Sequence, residues 1–240
     1  MKNELYDLVK THHRIALVGA GGKTTTLLYL GSSLANAGKS VLCYTTTHME
    51  KLTDYVCPEG MVLDTTPNNL EAGREFDYYI YEADGSKGHP IKTPNETEPV
   101  FVPDTDLVLV LMGMSAIGQP LSECCHRYER LLVPEKTQKI AELYNTRGSV
   151  MSTQEGTGEK IALTATTKVN ERLAACILTD GYGHLVGLSE DAEVFYILNQ
   201  ADDESRLQSA AQVAAELRRL NGRDCAFTIS YPEEARNRRE

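Results

Sequence analysis

Residues 18–25 read VGAGGKTT, and this glycine-rich stretch decides the fold. It ends in the letters GKT, as does the phosphate-binding pattern G-x-x-x-x-G-K-[ST] of nucleotide-hydrolysing proteins. Only two residues separate Gly19 from Gly22, where that pattern has four. The stretch is therefore either a shortened phosphate site or a turn whose glycines only relieve steric strain.

The segments on either side of the glycine stretch favour a phosphate site. Residues 15–18 are a compact apolar run typical of a buried strand, and from Thr24 onward apolar residues recur with helical spacing. Gly38 is placed to end that helix, and residues 41–44 form a second strand candidate. This order of elements predicts a βαβ unit with a parallel sheet, in which loop amides and the helix N-terminus converge on bound phosphate.

The end of the stretch carries residue types that suit a bound nucleotide. A plain strand-to-helix turn would not need lysine and threonine at its end, so we interpret the stretch as a nucleotide site. Lys23 would neutralise charge on the β- and γ-phosphates, and the Thr24 hydroxyl would bind Mg²⁺. The predicted nucleotide-binding residues are Gly19, Ala20, Gly21, Gly22, Lys23, Thr24 and Thr25.

Two carboxylates downstream are candidates for holding the metal. The apolar run at 78–81 is a strand candidate that leads into Glu82 and Asp84, which share a face if the strand continues. We predict that Thr24, Glu82 and Asp84 hold Mg²⁺, directly or through water. Together with Lys23, the two acids are the predicted catalytic residues, one of them positioning the attacking water. An acidic residue at a strand end is also ordinary surface chemistry.

Basic residues in two later segments are candidates for binding a second substrate. Lys87, His89 and Lys92 follow the acidic residues, and the two lysines could contact a phosphate or another anion. The same composition is also typical of a solvated surface loop. Further along, His126 and Arg127 could supply a proton donor and a phosphate clamp, or could be an ordinary pair on a helix surface.

Residues 199–202, NQAD, resemble the guanine-recognition motif N-K-x-D of GTPases, with Gln200 where lysine usually stands. A carboxylate at the fourth position can accept two hydrogen bonds from guanine that adenine does not offer. Asn199 and Asp202 are therefore predicted to bind the nucleotide base. The missing lysine leaves the choice between ATP and GTP open, and Asp202 is equally placed to cap a helix predicted at 207–220.

The remaining pattern predicts a single α/β domain over residues 1–240. Helix candidates lie at 2–11 and 134–144, and strand candidates lie at 107–111, 194–198 and 225–229. The hydroxyl-bearing residues 45–47 follow the second strand, at the edge where parallel sheets form ligand crevices. The segment 146–190 is harder to place, and we interpret it as an insertion, a hairpin or a loop.

Composition and charge narrow the function classes. A net charge of −10 disfavours a nucleic-acid or anionic-membrane surface but leaves room for one basic pocket. No run is apolar enough for a membrane span or a signal peptide, so we expect a cytoplasmic protein without a membrane partner. The six cysteines form no C-x-x-C pair, which argues against zinc-finger and thioredoxin-like sites.

Several ordered blocks of the sequence resemble one known family. They are VGAGGKTT at 18–25, YTTTHM at 44–49, YEADGSKGHPIK at 81–92, GMSAIGQPL at 113–121, HRYE at 126–129 and ILNQAD at 197–202. Together they resemble the selenium-dependent molybdenum hydroxylase accessory protein family of the YqeC type. The resemblance implies a three-layer α/β fold with a mostly parallel sheet of the P-loop NTPase type. It also implies a role in maturing the selenium-containing molybdenum cofactor of certain hydroxylases.

Three functions are compatible with these observations. The leading hypothesis is an accessory protein that binds Mg²⁺ with ATP or GTP and hydrolyses the nucleotide to energise a maturation step. Its expected partners are the nucleotide, the molybdenum cofactor or a selenium donor, and a molybdenum hydroxylase. The second is a GTPase-type chaperone or insertion switch for an apo-hydroxylase that transforms no small substrate. The third is a Mur-like ATP-dependent ligase, because Mur ligases have a similarly short G-x-x-G-K-T loop.

The selenium context raises a question about the adjacent Cys124 and Cys125. A thiolate could carry sulfur or selenium. On a helix, however, neighbouring side chains point about 100° apart, so the pair would not act as one chelating face. Ordinary buried thiols are the expected alternative.

Overall fold

The computed structural model describes residues 2–47, 55–65, 75–145, 162–189 and 191–231. Helices in this part of the chain are α1 Lys2–Val9, α2 Lys23–Asn36, α3 Leu121–Cys124, α4 Pro134–Asn145, α5 Glu171–Tyr182 and α6 Glu204–Asn221. Strands are β1 Arg14–Gly19, β2 Val41–Thr45, β3 Met61–Asp64, β4 Tyr78–Glu82, β5 Ile91–Lys92, β6 Leu107–Gly113, β7 Cys125–His126, β8 Glu193–Asn199 and β9 Ala226–Thr228. None of the helices in these ranges is long and apolar enough to cross a membrane.

The described strands form a seven-stranded parallel sheet in the order β3-β2-β4-β1-β6-β8-β9. The central strand β1 pairs on one side with β4, where Leu17 aligns with Glu82, and on the other with β6, where Gly19 aligns with Leu111. Parallel strands covered on both faces are continuous apolar runs, and β6 is buried along its whole length. The register brings Glu82 to the same sheet edge as the start of the glycine stretch.

Helices cover both faces of this sheet. Alternate residues of β1 point to opposite faces: Ile15 and Leu17 pack in one apolar cluster with α1 and α2. Ala16 and Val18 pack in a second cluster with α4, α5 and α6. The predicted three-layer α/β fold with a parallel sheet of the P-loop NTPase type is therefore confirmed.

The segment 146–190 contains a helix that the sequence pattern does not reveal. Helix α5 starts after Asn170, whose side chain accepts a hydrogen bond from the Leu173 amide. Every residue from Leu173 to Asp180 is buried, and residues 173–178 are a short continuous apolar run, which periodicity alone does not assign to a helix or to a strand. Residues 171–182 are thus a core helix rather than a hairpin, and residues 146–161 lie outside the described part.

Candidate functional site

The glycine stretch connects the end of β1 to the start of α2 in a conformation that requires glycine. Gly19, Gly21 and Gly22 have φ angles of 89°, 74° and 114°, which L side chains rarely adopt. A Cβ atom on Gly19 would also clash with the Leu111 carbonyl oxygen, and one on Gly21 would clash with the Gly113 amide. These glycines therefore allow the loop to lie directly against β6, as well as to turn.

The first half of this loop is fastened to the protein. The Gly19 amide donates to the Asp84 carboxylate at 2.9 Å, and the Ala20 amide donates to the Leu111 carbonyl at 2.9 Å. The Gly21 amide donates to the His89 carbonyl at 3.1 Å. Of the predicted nucleotide-binding residues, Gly19 and Ala20 do not line the adjacent cavity. Their role in the structure is to anchor the loop.

The second half of the loop opens into a cavity of about 680 Å³. Gly22, Lys23, Thr24 and Thr25 line this cavity together with Gly21. They are the first turn of α2 and its cap, whose amides have no intrahelical acceptor, and the hydrogen bonds found within the described residues provide none. Four backbone N–H groups at the positive end of a helix dipole are therefore available to an anion.

Thr24 and Glu82 form a pair of oxygen donors at the edge of the same cavity. The Thr24 hydroxyl donates to the Glu82 carboxylate at 2.6 Å, and both residues line the cavity. Mg²⁺ prefers oxygen ligands and commonly takes one or two from the protein and the rest from phosphate and water, so this pair fits the ion. No cluster of three or more His, Cys, Asp or Glu suited to a metal occurs among the described residues.

Asp84 does not join this pair, contrary to the prediction. Its side chain is fully buried, and its Oδ2 atom accepts hydrogen bonds from the Gly19 amide and from the Tyr182 hydroxyl at 2.9 and 3.0 Å. It also lies 3.2 Å from the Lys23 ammonium and 3.1 Å from the Lys92 ammonium. The strand β4 ends at residue 82, so the alternation expected to bring both acids to one face does not continue.

Lys23 lines the cavity but is turned toward the protein. Its ammonium donates to the Gly19 carbonyl at 2.7 Å and contacts Asp84, and only 4% of the residue is exposed. In this conformation the positive charge of Lys23 is compensated by its own loop and by a buried carboxylate. A bound phosphate would compete for the ammonium with these two partners.

Lys92, predicted to contact substrate, is buried as well and does not line the cavity. It lies in β5 with 1% of its surface exposed, and its ammonium donates to the Gly85 carbonyl at 2.6 Å and to Glu98 at 2.9 Å. Glu98 in turn accepts a hydrogen bond from Arg127 at 2.6 Å. Burial raises the pKa of Glu98, but the hydrogen bonds from Arg127 and Lys92 outweigh it and lower the pKa to about 2.

These contacts form a continuous series of alternating charges, which we call the buried ion chain. Its members, in order, are Lys23, Asp84, Lys92, Glu98 and Arg127. The chain begins at the glycine loop and ends at a guanidinium that lines the cavity. Charged side chains in the protein interior thereby connect Lys23, at the glycine loop, with Arg127, elsewhere on the cavity lining.

A second group of cationic and aromatic side chains lines the cavity beside the glycine loop. We call Lys87, His89, His126 and Arg127 the basic wall. The imidazole rings of His89 and His126 stack with centroids 5.8 Å apart and planes 15° apart. His126 lies in strand β7 and Arg127 has a φ of 62°, so the pair does not lie on a helix surface. All four residues were candidates from sequence, and the structure brings them together.

His126 is surrounded by positive charge. Burial lowers its pKa most, and Arg127, Lys92, His89 and Lys87 lower it further, to about 4. The imidazole is therefore neutral at pH 7. The positive charges around His126 would attract an anion to the wall.

The NQAD segment is only partly at the cavity. Asn199 lines it and donates from its side chain to the Gly21 carbonyl at 2.9 Å, which fastens the glycine loop to β8. Asp202 does not line the cavity, and its carboxylate accepts a hydrogen bond from the Ser230 hydroxyl at 2.7 Å. The cap of α6 is Asp203. Thus neither interpretation of Asp202, as a base-binding residue or as a helix cap, matches its position.

Some cavity residues were not found by sequence reasoning. Tyr231 lines the cavity and donates to the Thr26 hydroxyl at 2.9 Å, and Glu98 lines it while orienting Arg127. Tyr231 is brought there by β9, and no local motif marks it or Glu98. Thr47 also lines the cavity, as expected for the residues after β2.

The adjacent cysteines lie away from this cavity. Cys124 ends α3 and Cys125 begins β7, so the two are not neighbours on one helix. Both thiols are buried, and burial raises their pKa values to about 11 and about 12. At neutral pH they are protonated and poorly nucleophilic.

The fold and this site define the class of protein: a three-layer α/β protein with a parallel central sheet, consistent with a P-loop NTPase-like fold, and with a glycine loop between β1 and α2. The family described as YqeC protein matches residues 15–72 and 60–129. A curated relative from Escherichia coli (strain K12), described as "Uncharacterized protein YqeC", is 31% identical over 166 residues. This chain belongs to the YqeC family.

The matched part of the chain contains most of the site. Residues 15–129 include the glycine loop, Glu82, the buried ion chain and the basic wall. The alignment with the relative covers 54% of this chain and 65% of the relative, so this chain spans slightly less than two thirds of the relative's length.

Proposed function

We propose that this protein binds Mg²⁺ with ATP or GTP at the glycine loop and hydrolyses the nucleotide. The observation that carries the proposal is the 2.6 Å hydrogen bond from Thr24 to Glu82. It lies directly beside the amides of the first turn of α2, which have no acceptor within the described part of the chain. Oxygen donors for a metal and N–H donors for phosphate thus lie at one cavity edge. A turn that only relieved steric strain would need neither.

Each residue at this edge has a distinct role in the proposal. The amides from Gly22 to Thr25 hold phosphate oxygens, and Lys23 turns from Gly19 and Asp84 into the cavity to neutralise phosphate charge. Thr24 and Glu82 would hold Mg²⁺, which would supply positive charge to offset that of the phosphate groups. Asp84 keeps the anchored half of the loop in place through the Gly19 amide.

The biological setting of the proposal rests on the sequence resemblance. We propose that nucleotide hydrolysis serves maturation of the selenium-containing molybdenum cofactor of hydroxylases. The partners in that role are the molybdenum cofactor or a selenium donor, and an apo-hydroxylase. ATP and GTP remain equal candidates, because Asp202, the residue expected to select guanine, does not line the cavity.

Calorimetric titration with ATP, GTP and CTP, each with and without Mg²⁺, tests this function. We expect Mg²⁺-dependent binding of ATP or GTP to the wild type and no detectable binding to Lys23→Ala. Glu82→Gln retains a hydrogen-bond acceptor for Thr24 but loses the charge, so it should reduce the effect of Mg²⁺ while still binding nucleotide. The matched control is Lys39→Ala, which removes an exposed lysine.

Two outcomes would overturn the proposal, and a third would change it. Failure of the wild type to bind any of the nucleotides would overturn it, and so would unchanged affinity in Lys23→Ala. Hydrolysis that requires an added apo-hydroxylase, with GTP strongly preferred, would instead support the switch function without a small substrate.

A further inference from the structure

We propose that the basic wall is a second anion-binding subsite, which takes the phosphate or carboxylate group of a second ligand while the glycine loop holds the nucleotide. Lys87, His89, His126 and Arg127 form this subsite. The inference deepens the proposed function and rests on it, because it divides the same cavity between two anionic ligands.

The wall is held against the glycine loop by backbone contacts. The His89 carbonyl accepts from the Gly21 amide at 3.1 Å, and the Pro90 carbonyl accepts from the Gly113 amide at 2.7 Å. Strand β5 then pairs with β7, which places Lys92 in register with His126. Two segments distant in sequence therefore present their basic side chains to one cavity, adjacent to the amides proposed for phosphate.

The guanidinium of the wall is fixed rather than mobile. Arg127 donates to both carboxylate oxygens of Glu98, at 2.6 and 3.4 Å, and Glu98 is held by the buried Lys92. A charged group that is already oriented loses less conformational entropy when it binds a ligand. Surface arginines without such support do not have this advantage, so the arrangement favours a binding role.

The charges of the cavity are not balanced by the protein. The cavity and the buried ion chain together carry four cations, Lys23, Lys87, Lys92 and Arg127, against three carboxylates, Glu82, Asp84 and Glu98. A nucleotide phosphate would use Lys23. The positive charge on Lys87, and the guanidinium of Arg127 beside it, would still attract a second anion.

The side chains of the wall also define the chemistry of the ligand. Lys87 and Arg127 can only donate hydrogen bonds, and the neutral imidazole of His126 supplies one donor and one acceptor. A ligand group that satisfies several donors at once must present several acceptor oxygens. Phosphate and carboxylate groups meet this requirement, and they are the groups that arginine and lysine recognise most often.

The competing explanation is that the wall contacts the γ-phosphate of the nucleotide itself. The two can be separated with protein saturated by Mg²⁺ and a non-hydrolysable ATP analogue, so that the glycine loop is filled. Inorganic phosphate is then titrated in one series and acetate in another, while NMR follows the ring protons of His89 and His126. We expect one or both anions to shift these signals in a saturable manner, and the stronger binder identifies the ligand class.

Substitutions in the wall should weaken binding of the added anion and leave binding of the ATP analogue unaffected. Lys87→Ala and Arg127→Lys are each expected to reduce affinity for the added anion about tenfold, because each removes a charge-assisted or bidentate contact. Affinity for the ATP analogue should stay within about twofold of the wild type. The control is Arg130→Ala, since Arg130 pairs with Glu96 and does not line this cavity.

The result distinguishes failure of the subsite from failure of the proposed function. If the analogue alone shifts both histidines and neither anion adds a further change, the wall belongs to the nucleotide and the inference is overturned. If the wild type binds no analogue, the proposed function fails. Anion titration of Lys23→Ala, which lacks the lysine of the glycine loop, then tests the subsite by itself, and absence of a histidine shift there overturns it.

Discussion

The glycine loop and the basic wall line the same cavity but are built by different means. The loop offers backbone N–H groups, and its shape follows from three glycines with positive φ within four consecutive residues. The wall offers side chains from two separate segments, and buried ions hold the arginine among them. The first kind of site can be recognised in a short stretch of sequence, whereas the second depends on contacts between residues far apart in the chain.

Removing the carboxylate at the centre of the buried ion chain should have the largest effect on both regions. Asp84→Ala leaves Lys23 and Lys92 buried without their shared partner, and we expect the free energy of unfolding to fall by about 3–5 kcal/mol. Urea denaturation measures this change. Asp7→Ala, at an exposed ion pair, should cost less than about 1 kcal/mol. An equally small loss of stability in Asp84→Ala would show that the buried ion chain does not stabilise the glycine loop and the basic wall.

The pH dependence of stability tests the wall specifically. The pKa of His126 is about 4 in the folded protein, below its ordinary value of 6.5, so the unfolded state binds the proton first as the pH falls. Stability contributed by the neutral imidazole is complete above about pH 6.5 and is lost on going down to about pH 4. We expect a loss of about 2–3 kcal/mol over this window.

Comparison with one variant isolates that contribution. His126→Gln cannot take up the proton, so its stability should decline less than that of the wild type between about pH 6.5 and pH 4. His184→Gln, at an exposed position, is the control and should follow the wild type. Identical pH profiles for His126→Gln and the wild type would contradict the electrostatic description of the wall.

A substitution in the loop tests how strictly its backbone conformation and close packing require glycine. Gly21→Ala combines a positive φ with a clash against the Gly113 backbone, and we expect it to cost about 2 kcal/mol in thermal or urea unfolding. Gly38→Ala has a φ of 78° but open space around the Cβ position, so it should cost only about 1 kcal/mol. Equal costs would mean that close packing against β6 contributes nothing.

The smallest predicted effect concerns the helix that was not recognised from sequence. The Tyr182 hydroxyl of α5 donates to Asp84 at 3.0 Å, so Tyr182→Phe should lower the free energy of unfolding by about 1.5 kcal/mol. Tyr128→Phe, at a partly buried turn outside the ion chain, is the control for losing a phenolic hydroxyl. If Tyr182→Phe lowers the free energy of unfolding no more than Tyr128→Phe does, the hydrogen bond from α5 to Asp84 does not help to stabilise the loop.

Much of the fold was predictable because local patterns repeat within single elements. The βαβ unit around the glycine stretch, the strands β6 and β8 and the helix α4 all lie where apolar periodicity placed them. Helix α5 escaped recognition because its continuous apolar run at 173–178 suits a buried strand as well as a helix. The site residues divide in the same way: Thr24 and Glu82, which were predicted to hold one metal ion, are hydrogen-bonded to each other, since β4 pairs directly with β1.

The sequence by itself determined the parallel α/β architecture, the glycine loop and the identity of the basic residues near it. Only the tertiary structure decided that Glu82 faces the cavity whereas Asp84 and Lys92 are buried beneath it. The physical reason is that burial of charge depends on partners: a lysine is stable inside the protein only where a distant carboxylate meets it. Strand pairing and the connections between strands bring such partners into contact, and no short stretch of sequence specifies them.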